Sequence, residues 1–421
     1  MPAIQAEPVN LQIERMGAQG DGVARGPDGR AVYVPLTLPG EWASVRVDGD
    51  RGEVVALIES SPDRIAPASP HYGDCGGCSL QHWSARPYLY WKRDQVRQAL
   101  EREGLQTAIK EVIACGPGLR RRLALHARPG KAGEARLGFK ARRSWRLVEV
   151  TACPVALPSI QARFPDLARL AAAFLENPRS APTLHVTSTL TGMDIEVTGV
   201  ERRQGALSAD ARVRAAAVAA AADFARVTLG GEMLYQSRSP MVRMGSVPVE
   251  LPPGGFLQAV ESAQEAMASL CCEALAGAGR IADLFCGIGA FTFPLAKSVA
   301  VRAIDSSAPA ITALAAAADR AQGLKPVQAE VRDLFRQPLA AEEMRKLDAA
   351  VIDPPRAGAL AQSREIARSK LQKLVYVSCS PSTFARDAKV LSEAGFRLVE
   401  VTPVDQFLWS PHIELVGVFE R

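Results

Sequence analysis

From position 254 to the C-terminus, apolar runs of strand length alternate with helical runs: SAQEAMASLCCEALAG, RIADLF, GAFTFPLAKS, VRAID, ITALAAAADRAQG, KPVQAEVRDL, LDAAVIDPP, KLVYVSCS and RLVEVTPVD. A chain that switches repeatedly between these two periods builds βαβ units around a largely parallel sheet, an α/β architecture. Ligands of such sheets lie outside the carboxyl ends of the strands. Asp283, Asp305, Asp333 and Asp353 each fall at or just after such an end. A series of carboxylates there is hard to explain as core, the plain alternative being helix caps and turns.

In ADLFCGIGAFTFPLA, Phe285 closes a strand, and Gly287 and Gly289 form the turn into a helix. Glycines at that turn allow close backbone approach to a ligand, either a dinucleotide or S-adenosylmethionine. Phe291 and Thr292 follow where a dinucleotide loop would carry its third glycine, which disfavours a pyrophosphate. Asp305 lies 22 positions after Asp283 (305 minus 283), where a carboxylate can accept hydrogen bonds from ribose hydroxyls. Asp333 is placed to meet the adenine, and two prolines stiffen the loop that Asp353 opens.

The rest of the 421 residues has a different texture. Residues 1–62 alternate short β-rich runs with Gly, Asp and Pro turns, as in a small closed barrel. Residues 63–250 form a mixed α+β region with a cysteine-bearing loop, then the helical run YLYWKRDQVRQALEREG, part of 84–115 being expected to pack on the last region, 251–421. Basic hairpins follow, with RPGKAGEA as one turn. Within 116–150 ten Lys or Arg face two Glu, an excess of eight, against five for the whole chain. Such concentration is the electrostatic footprint of a polyanion, and a solvated basic face is the plainer reading. Hydrophobic residues at 48% and charged residues at 23% are those of a globular protein, and no apolar run is long enough for a bilayer. With no signal segment visible, a cytoplasmic location without membrane contact is expected, and a monomer is the default.

The eight cysteines do not read as a disulfide framework in a cytosolic chain. Cys115, Cys271 and Cys272 read as buried thiols. Cys75 and Cys78 have C-x-x-C spacing, and Cys153 stands far downstream in TACPVA. Three such thiols suit an iron–sulfur cluster better than zinc, although spacing alone leaves zinc open. Cys379 ends the strand KLVYVSCS between two serines, where modest thiolate stabilisation would arm it.

Taken together, FLQ at 256–258, DLFCGIGAF, DPPRAG, VYVSCSPSTFARD and FLWSPHIE resemble the bacterial RNA (uracil-5-)-methyltransferases, in the same order and over essentially the whole chain. The first sixty residues, notably GDGVARGPDGRAVYVPLTLPGE, resemble a TRAM domain, an OB-like RNA-binding module. The resemblance implies a Rossmann-like S-adenosylmethionine domain, with the cofactor held by Gln258, Phe285, Gly287, Asp305, Asp333 and Asp353. It implies that Cys379 adds to carbon 6 of a uridine, that Glu414 removes the proton from carbon 5, and that Asp353 orients ring and thiol. Such a base must be flipped out of its stack, with Trp83, Tyr88 or Trp145 available for stacking. The family pattern also implies a [4Fe-4S] cluster on four cysteines, of which the first position here is Ser69, leaving Ser69, His71, Asp74 or water as a fourth ligand. Ala290 and Ala259–Val260 depart from the family pattern. The TRAM-like start points to 23S ribosomal RNA, with transfer RNA as the runner-up. Two rivals remain: DPP-type motifs also occur in enzymes that methylate exocyclic amines of bases, and an RNA-binding platform need not be catalytic.

Overall fold

The computed structural model describes residues 7–131, 133–177, 179–200 and 207–421. Residues 1–6 of the expected barrel and Ala132 of the expected RPGKAGEA turn lie outside them. Five strands close a barrel: β1 (Val9–Met16), β2 (Gly22–Arg25), β3 (Ala31–Val34), β4 (Trp42–Asp48) and β5 (Arg51–Glu59). Alternation along these strands turns Leu11, Ile13, Ala24, Val32, Val34, Ala43 and Val45 inward as its core. Asp21, in the β1–β2 turn, is fully buried and paired with Arg51 at 3.3 Å, Arg143 at 2.9 Å and Arg142. The last two arginines come from the central region, so this one carboxylate ties the barrel to it.

Helix α1 (Ala85–Arg102) leads into short strands β6 (Ala108–Ile109) and β7 (Ile113–Ala114). The central sheet comprises β8 (Arg122–Pro129), β9 (Ala135–Lys140), β10 (Leu147–Glu149), β11 (Thr183–Thr189), β12 (Gly192–Thr198), β13 (Arg226–Leu229) and β14 (Glu232–Gln236). Its spatial order is β10-β9-β8-β11-β12-β13-β14. Helices α2 (Pro158–Gln161), α3 (Phe164–Ala172) and α4 (Ala209–Ala221) contribute Ile160, Leu167, Leu170 and Ala215 to its core. The hairpin β15 (Met241–Met244) and β16 (Val247–Glu250) follows.

The final region holds α5 (Glu261–Ala274), β17 (Arg280–Leu284), α6 (Thr292–Ala296), β18 (Ala300–Asp305), α7 (Ala308–Arg320), β19 (Val327–Val331), β20 (Ala349–Ile352), α8 (Leu360–Arg368), β21 (Lys373–Ser378), α9 (Pro381–Glu393), β22 (Arg397–Asp405) and β23 (Glu414–Glu420). The sheet order is β19-β18-β17-β20-β21-β23-β22-β6, and only β23 runs antiparallel to its neighbours. Every residue of β20 is buried, as a strand covered on both faces requires. The strand order reverses between β17 and β20, which opens a crevice at the carboxyl ends of those two strands.

Two segments that precede position 251 pack on this sheet. Val242, Met244, Val247 and Val249 of the β15–β16 hairpin share a core with Ile311 and Leu314 of α7, so its apolar face is satisfied there and not on the central sheet. β6 and β7 extend the sheet edge by pairing with β22, and Val96, Ala99 and Leu100 of α1 join the core beside α9.

A buried ion pair anchors α1. Lys92 Nζ donates to Asp405 Oδ1 at 2.7 Å, with both side chains fully buried, and Tyr88 Oη donates to Asp405 Oδ2 at 2.7 Å. Lys92 also donates to the carbonyls of Phe407, at 3.3 Å, and His412, and so fixes both ends of the loop between β22 and β23. Removing one member strands the other charge in a dry interior. Lys92→Met is expected to lower stability by about 3–5 kcal/mol in urea unfolding; a loss under about 1 kcal/mol, the range of an exposed pair, would refute this anchoring.

Candidate active site

Cys379 follows β21 directly and is half-buried at the rim of the crevice. Ser378 pairs with Leu415 in the antiparallel register of β21 and β23, so the next facing pair outward is Cys379 and Glu414. Asp353 follows β20, the strand on the other side of β21. The resemblance-derived trio thus meets because three adjacent strands end together.

The two carboxylates are linked by a pair of amides. Gln258 Nε2 donates to Asp353 Oδ2 at 3.1 Å, and Gln406 Nε2 donates to Gln258 Oε1 at 2.7 Å and to Glu414 Oε1 at 2.9 Å. Gln406 Oε1 accepts from the Ala259 N–H at 3.0 Å, so both donors and the oxygen of this amide are engaged. Glu414 is buried, and its Oε2 has no partner within the protein. An unpaired buried carboxylate oxygen facing this cluster is available to a proton or a substrate.

Burial pushes the Glu414 carboxyl up to about 7, against the opposing hydrogen bond from Gln406. Burial, then the charge of Glu414, lifts Asp353 well above the ordinary carboxylate range. Burial and then the charges of Glu414 and Asp353 push the Cys379 thiol up to about 11. The protein alone therefore holds this sulfur protonated, first through burial and then through its acidic neighbours, so the stabilisation that would arm it is not supplied by these residues. Arg356 of the DPPRAG loop opposes the shift, and lines with Cys379 and His412 a cavity of about 110 Å³.

At the switch point, Phe285 adopts φ 64° and Gly287 φ 54°, a left-handed bend after β17. Open space lies where a Cβ of Gly287 would project. Asp305 Oδ2 accepts the Gly287 N–H at 2.9 Å, and its Oδ1 accepts the Ser307 N–H at 2.8 Å, so this carboxylate shapes the loop. Asp333 falls two residues beyond β19, its carboxylate accepting the Phe335 N–H at 3.0 Å. The ring of Phe335 lies 5.4 Å from that of Phe285. Sequence reasoning left Asp283 out of the binding set. It is fully buried, accepts from Thr292 Oγ1 at 2.5 Å, and keeps Oδ1 unpartnered; burial lifts its carboxyl to about 7. An orphaned carboxylate oxygen behind a glycine loop, with Asp305 and an aromatic pair alongside, fits a ligand carrying an amino group, ribose hydroxyls and a flat base. Gln406 and Arg356 were also missed. Gln406 carries no periodic or charge signature, whereas Arg356 sits within a motif already singled out.

Comparison with known proteins sets this geometry in context. The family model for tRNA (Uracil-5-)-methyltransferase matches residues 249–421, and that for the TRAM domain matches 7–55. A Caulobacter vibrioides protein described as an uncharacterized RNA methyltransferase is 60% identical, over 98% of this chain and 100% of its own length. The 23S rRNA (uracil(1939)-C(5))-methyltransferase of Halomonas elongata is 34% identical, over 98% of this chain and 89% of its own. The chain belongs to the RNA (uracil-5-)-methyltransferase family. The Pyrococcus abyssi tRNA (uracil-54, C5)-methyltransferase, solved with S-adenosyl-L-homocysteine, has the same fold, with a TM-score of 0.71, 23% identity and coverage of 98% and 100% of the two chains.

In this methyltransferase Cys75, Cys78 and Cys153 line one cavity of about 310 Å³. Burial pushes Cys78 up to about 12, its thiol neighbours Cys153 and Cys75 adding to the shift. Around them Ser69 Oγ accepts the His71 N–H at 3.2 Å, His71 Nε2 accepts the Thr151 N–H at 3.0 Å, and Asp74 pairs with Arg146 at 2.9 Å. Among the described residues, no group of three or more Cys, His, Asp or Glu side chains stands ready to hold a metal ion. The residues present therefore do not fit a four-ligand cluster. The loop does have a packing role: Cys75 bridges Ala141, and the Gly76 N–H donates to Lys140 O at 3.1 Å. A Cβ on Gly76 would come within 3.1 Å of the Arg142 backbone, so glycine lets the two segments approach closely there.

The basic stretch divides by role. Arg121 is buried, donating to Gln258 O at 3.0 Å and Gln264 Oε1 at 2.8 Å, and Arg122 donates to Leu257 O at 2.7 Å. Trp83 and Tyr88 are core, packed with Trp91, while Trp145 stands 78% exposed. Among the described residues no helix is long and apolar enough to cross a membrane.

Folded Glu414 keeps its proton to about pH 7, whereas a free carboxyl loses it near 4.5. Stability is thus shed as pH rises through that window. Glu414→Gln removes this loss, so the wild-type unfolding midpoint should fall relative to the variant between about pH 5 and about pH 8. A constant difference between the two midpoints across that range would contradict the buried, proton-holding carboxyl.

Proposed function

We propose that this chain uses S-adenosylmethionine to methylate carbon 5 of a uridine in 23S ribosomal RNA, through a transient bond between Cys379 and carbon 6 of the base. The observation that carries the reading is the convergence of a strand-end thiol with a buried carboxyl whose proton affinity lies near neutrality. Bound S-adenosylmethionine supplies the electrophilic methyl group. Gln258, Phe285, Gly287, Asp305, Asp333 and Asp353 would hold it, with Asp283 behind the loop.

Carbon 5 of uracil is a weak nucleophile. Cys379 must first lose its proton, and Asp353, whose proton affinity is raised by burial and by Glu414, is the base at hand. The thiolate then adds at carbon 6, and the electron pair of the 5,6 double bond moves into the adjacent carbonyl as an enolate. Carbon 5 of that enolate takes the methyl group. Glu414 removes the carbon-5 proton, the double bond re-forms, and the sulfur–carbon bond breaks to return the thiolate. Gln406 and Gln258 hold the two carboxyls apart in fixed orientations so that each acts on its own proton.

Ribosomal RNA is favoured over transfer RNA because the Halomonas relative, aligned over nearly the whole chain, is named for 23S rRNA. Comparing 5-methyluridine in ribosomal and transfer RNA from cells with and without the gene tests this. Loss of one 23S site on deletion is expected, and loss confined to transfer RNA would contradict it. In vitro, Cys379→Ala should abolish turnover, while Glu414→Gln should accumulate a denaturation-resistant protein–RNA complex. Full turnover by Cys379→Ala would instead favour methylation of an exocyclic amine.

A further inference from the structure

The β9–β10 turn carries Trp145, the most exposed of the large apolar side chains described. The Lys140 ammonium lies 3.8 Å from the centre of its ring, leaving the rest of the indole in solvent. Lys140 makes no ion pair among the described residues. Arg142 and Arg143 share their one carboxylate, Asp21, with Arg51, so three positive charges face one negative. These side chains wall a groove of about 620 Å³ whose far end is formed by Gln19, Pro411 and His412. The same three residues line the cavity that contains Cys379. The groove is thus continuous with the nucleophile's pocket, and its floor is the loop that Lys92 pins.

An isolated exposed aromatic needs no explanation, but this one stands over a cationic channel leading to the reacting sulfur. We infer that the groove from Trp145 to His412 seats the single-stranded RNA beside the target uridine, with an unpaired base stacked on Trp145 and its phosphates met by Lys140, Arg142 and Arg143. A base drawn into the Cys379 cavity must leave its stack, and its neighbours then need another surface on which to lie. Indole faces accept any base, and cations alongside track the backbone. The inference rests on the reading of the chain as an enzyme acting on RNA, and it assigns the flanking strand to particular residues. It also gives the cysteine loop a task, because Cys75 and Gly76 brace the turn from which Trp145 projects.

The test uses the full chain and a fluorescein-labelled single-stranded RNA of about 12 nucleotides, a length suited to such grooves, followed by anisotropy at several salt concentrations. Trp145→Ala should weaken binding by about 5- to 100-fold, the range for loss of one stacked base, while Trp145→Phe stays within about 3-fold of wild type. Lys140→Ala should flatten the dependence of log Kd on log salt by about 0.7, one phosphate contact on a single strand. An unchanged unfolding midpoint for each variant shows that the fold is kept. Wild-type affinity in Trp145→Ala, with methyl transfer by the wild type intact, would overturn the groove and leave the enzyme reading standing. A wild type that neither binds this RNA nor transfers methyl to ribosomal RNA would overturn both.

Discussion

Two carboxyls that would repel one another as anions share the rim of this site, and two glutamine amides keep them there. Asp353, Gln258, Gln406 and Glu414 form one hydrogen-bonded chain drawn from four separate segments. Because the chain is buried, charge on either end is costly, and the proton affinities of both acids and of the adjacent thiol rise together. The Cys379 thiol therefore holds its proton in the protein alone, and a carboxylate beside it must be ionised to accept that proton.

The rest of the molecule holds this chain in place and controls what reaches it. Lys92 and Tyr88 fix Asp405, and through it the Gln406–Ile413 loop that delivers Glu414. Arg121 clamps the backbone of Gln258 from the central sheet. Asp21 joins the barrel to the β9–β10 turn. Each contact is a buried or half-buried charge with a specific partner, and removing one partner would leave the other uncompensated.

Much of the catalytic layer was legible in the sequence because strands buried on both faces read as apolar runs between Gly and Pro punctuation. Strand-end positions of Cys379 and Asp353 followed from that pattern, and Glu414 was visible only through the family's terminal motif. What failed were properties set by distant neighbours. Gln406 meets Gln258 across 148 positions, and nothing in VDQF marks it. The two serines beside Cys379 leave its thiol accessible in the sequence, yet its proton affinity is raised first by burial and then by Glu414 on β23 and Asp353 just after β20. The β15–β16 hairpin, within the 63–250 region, packs on α7 of the last region, because an apolar face marks that it is buried but not against what. Three cysteines suggested a metal site, and the side chains that would complete it are engaged elsewhere.

The proposed methyl transfer depends on a covalent bond at one sulfur. RNA substrate carrying 5-fluorouridine at the target position has no proton for Glu414 to remove, so the sulfur–carbon bond, once formed and methylated at carbon 5, cannot be released. Mass spectrometry of the wild-type enzyme after incubation with this RNA and S-adenosylmethionine should find a methylated fluoropyrimidine nucleotide on the peptide containing Cys379. An unmodified Cys379 peptide, recovered from enzyme that turns over ordinary uridine RNA, would contradict it.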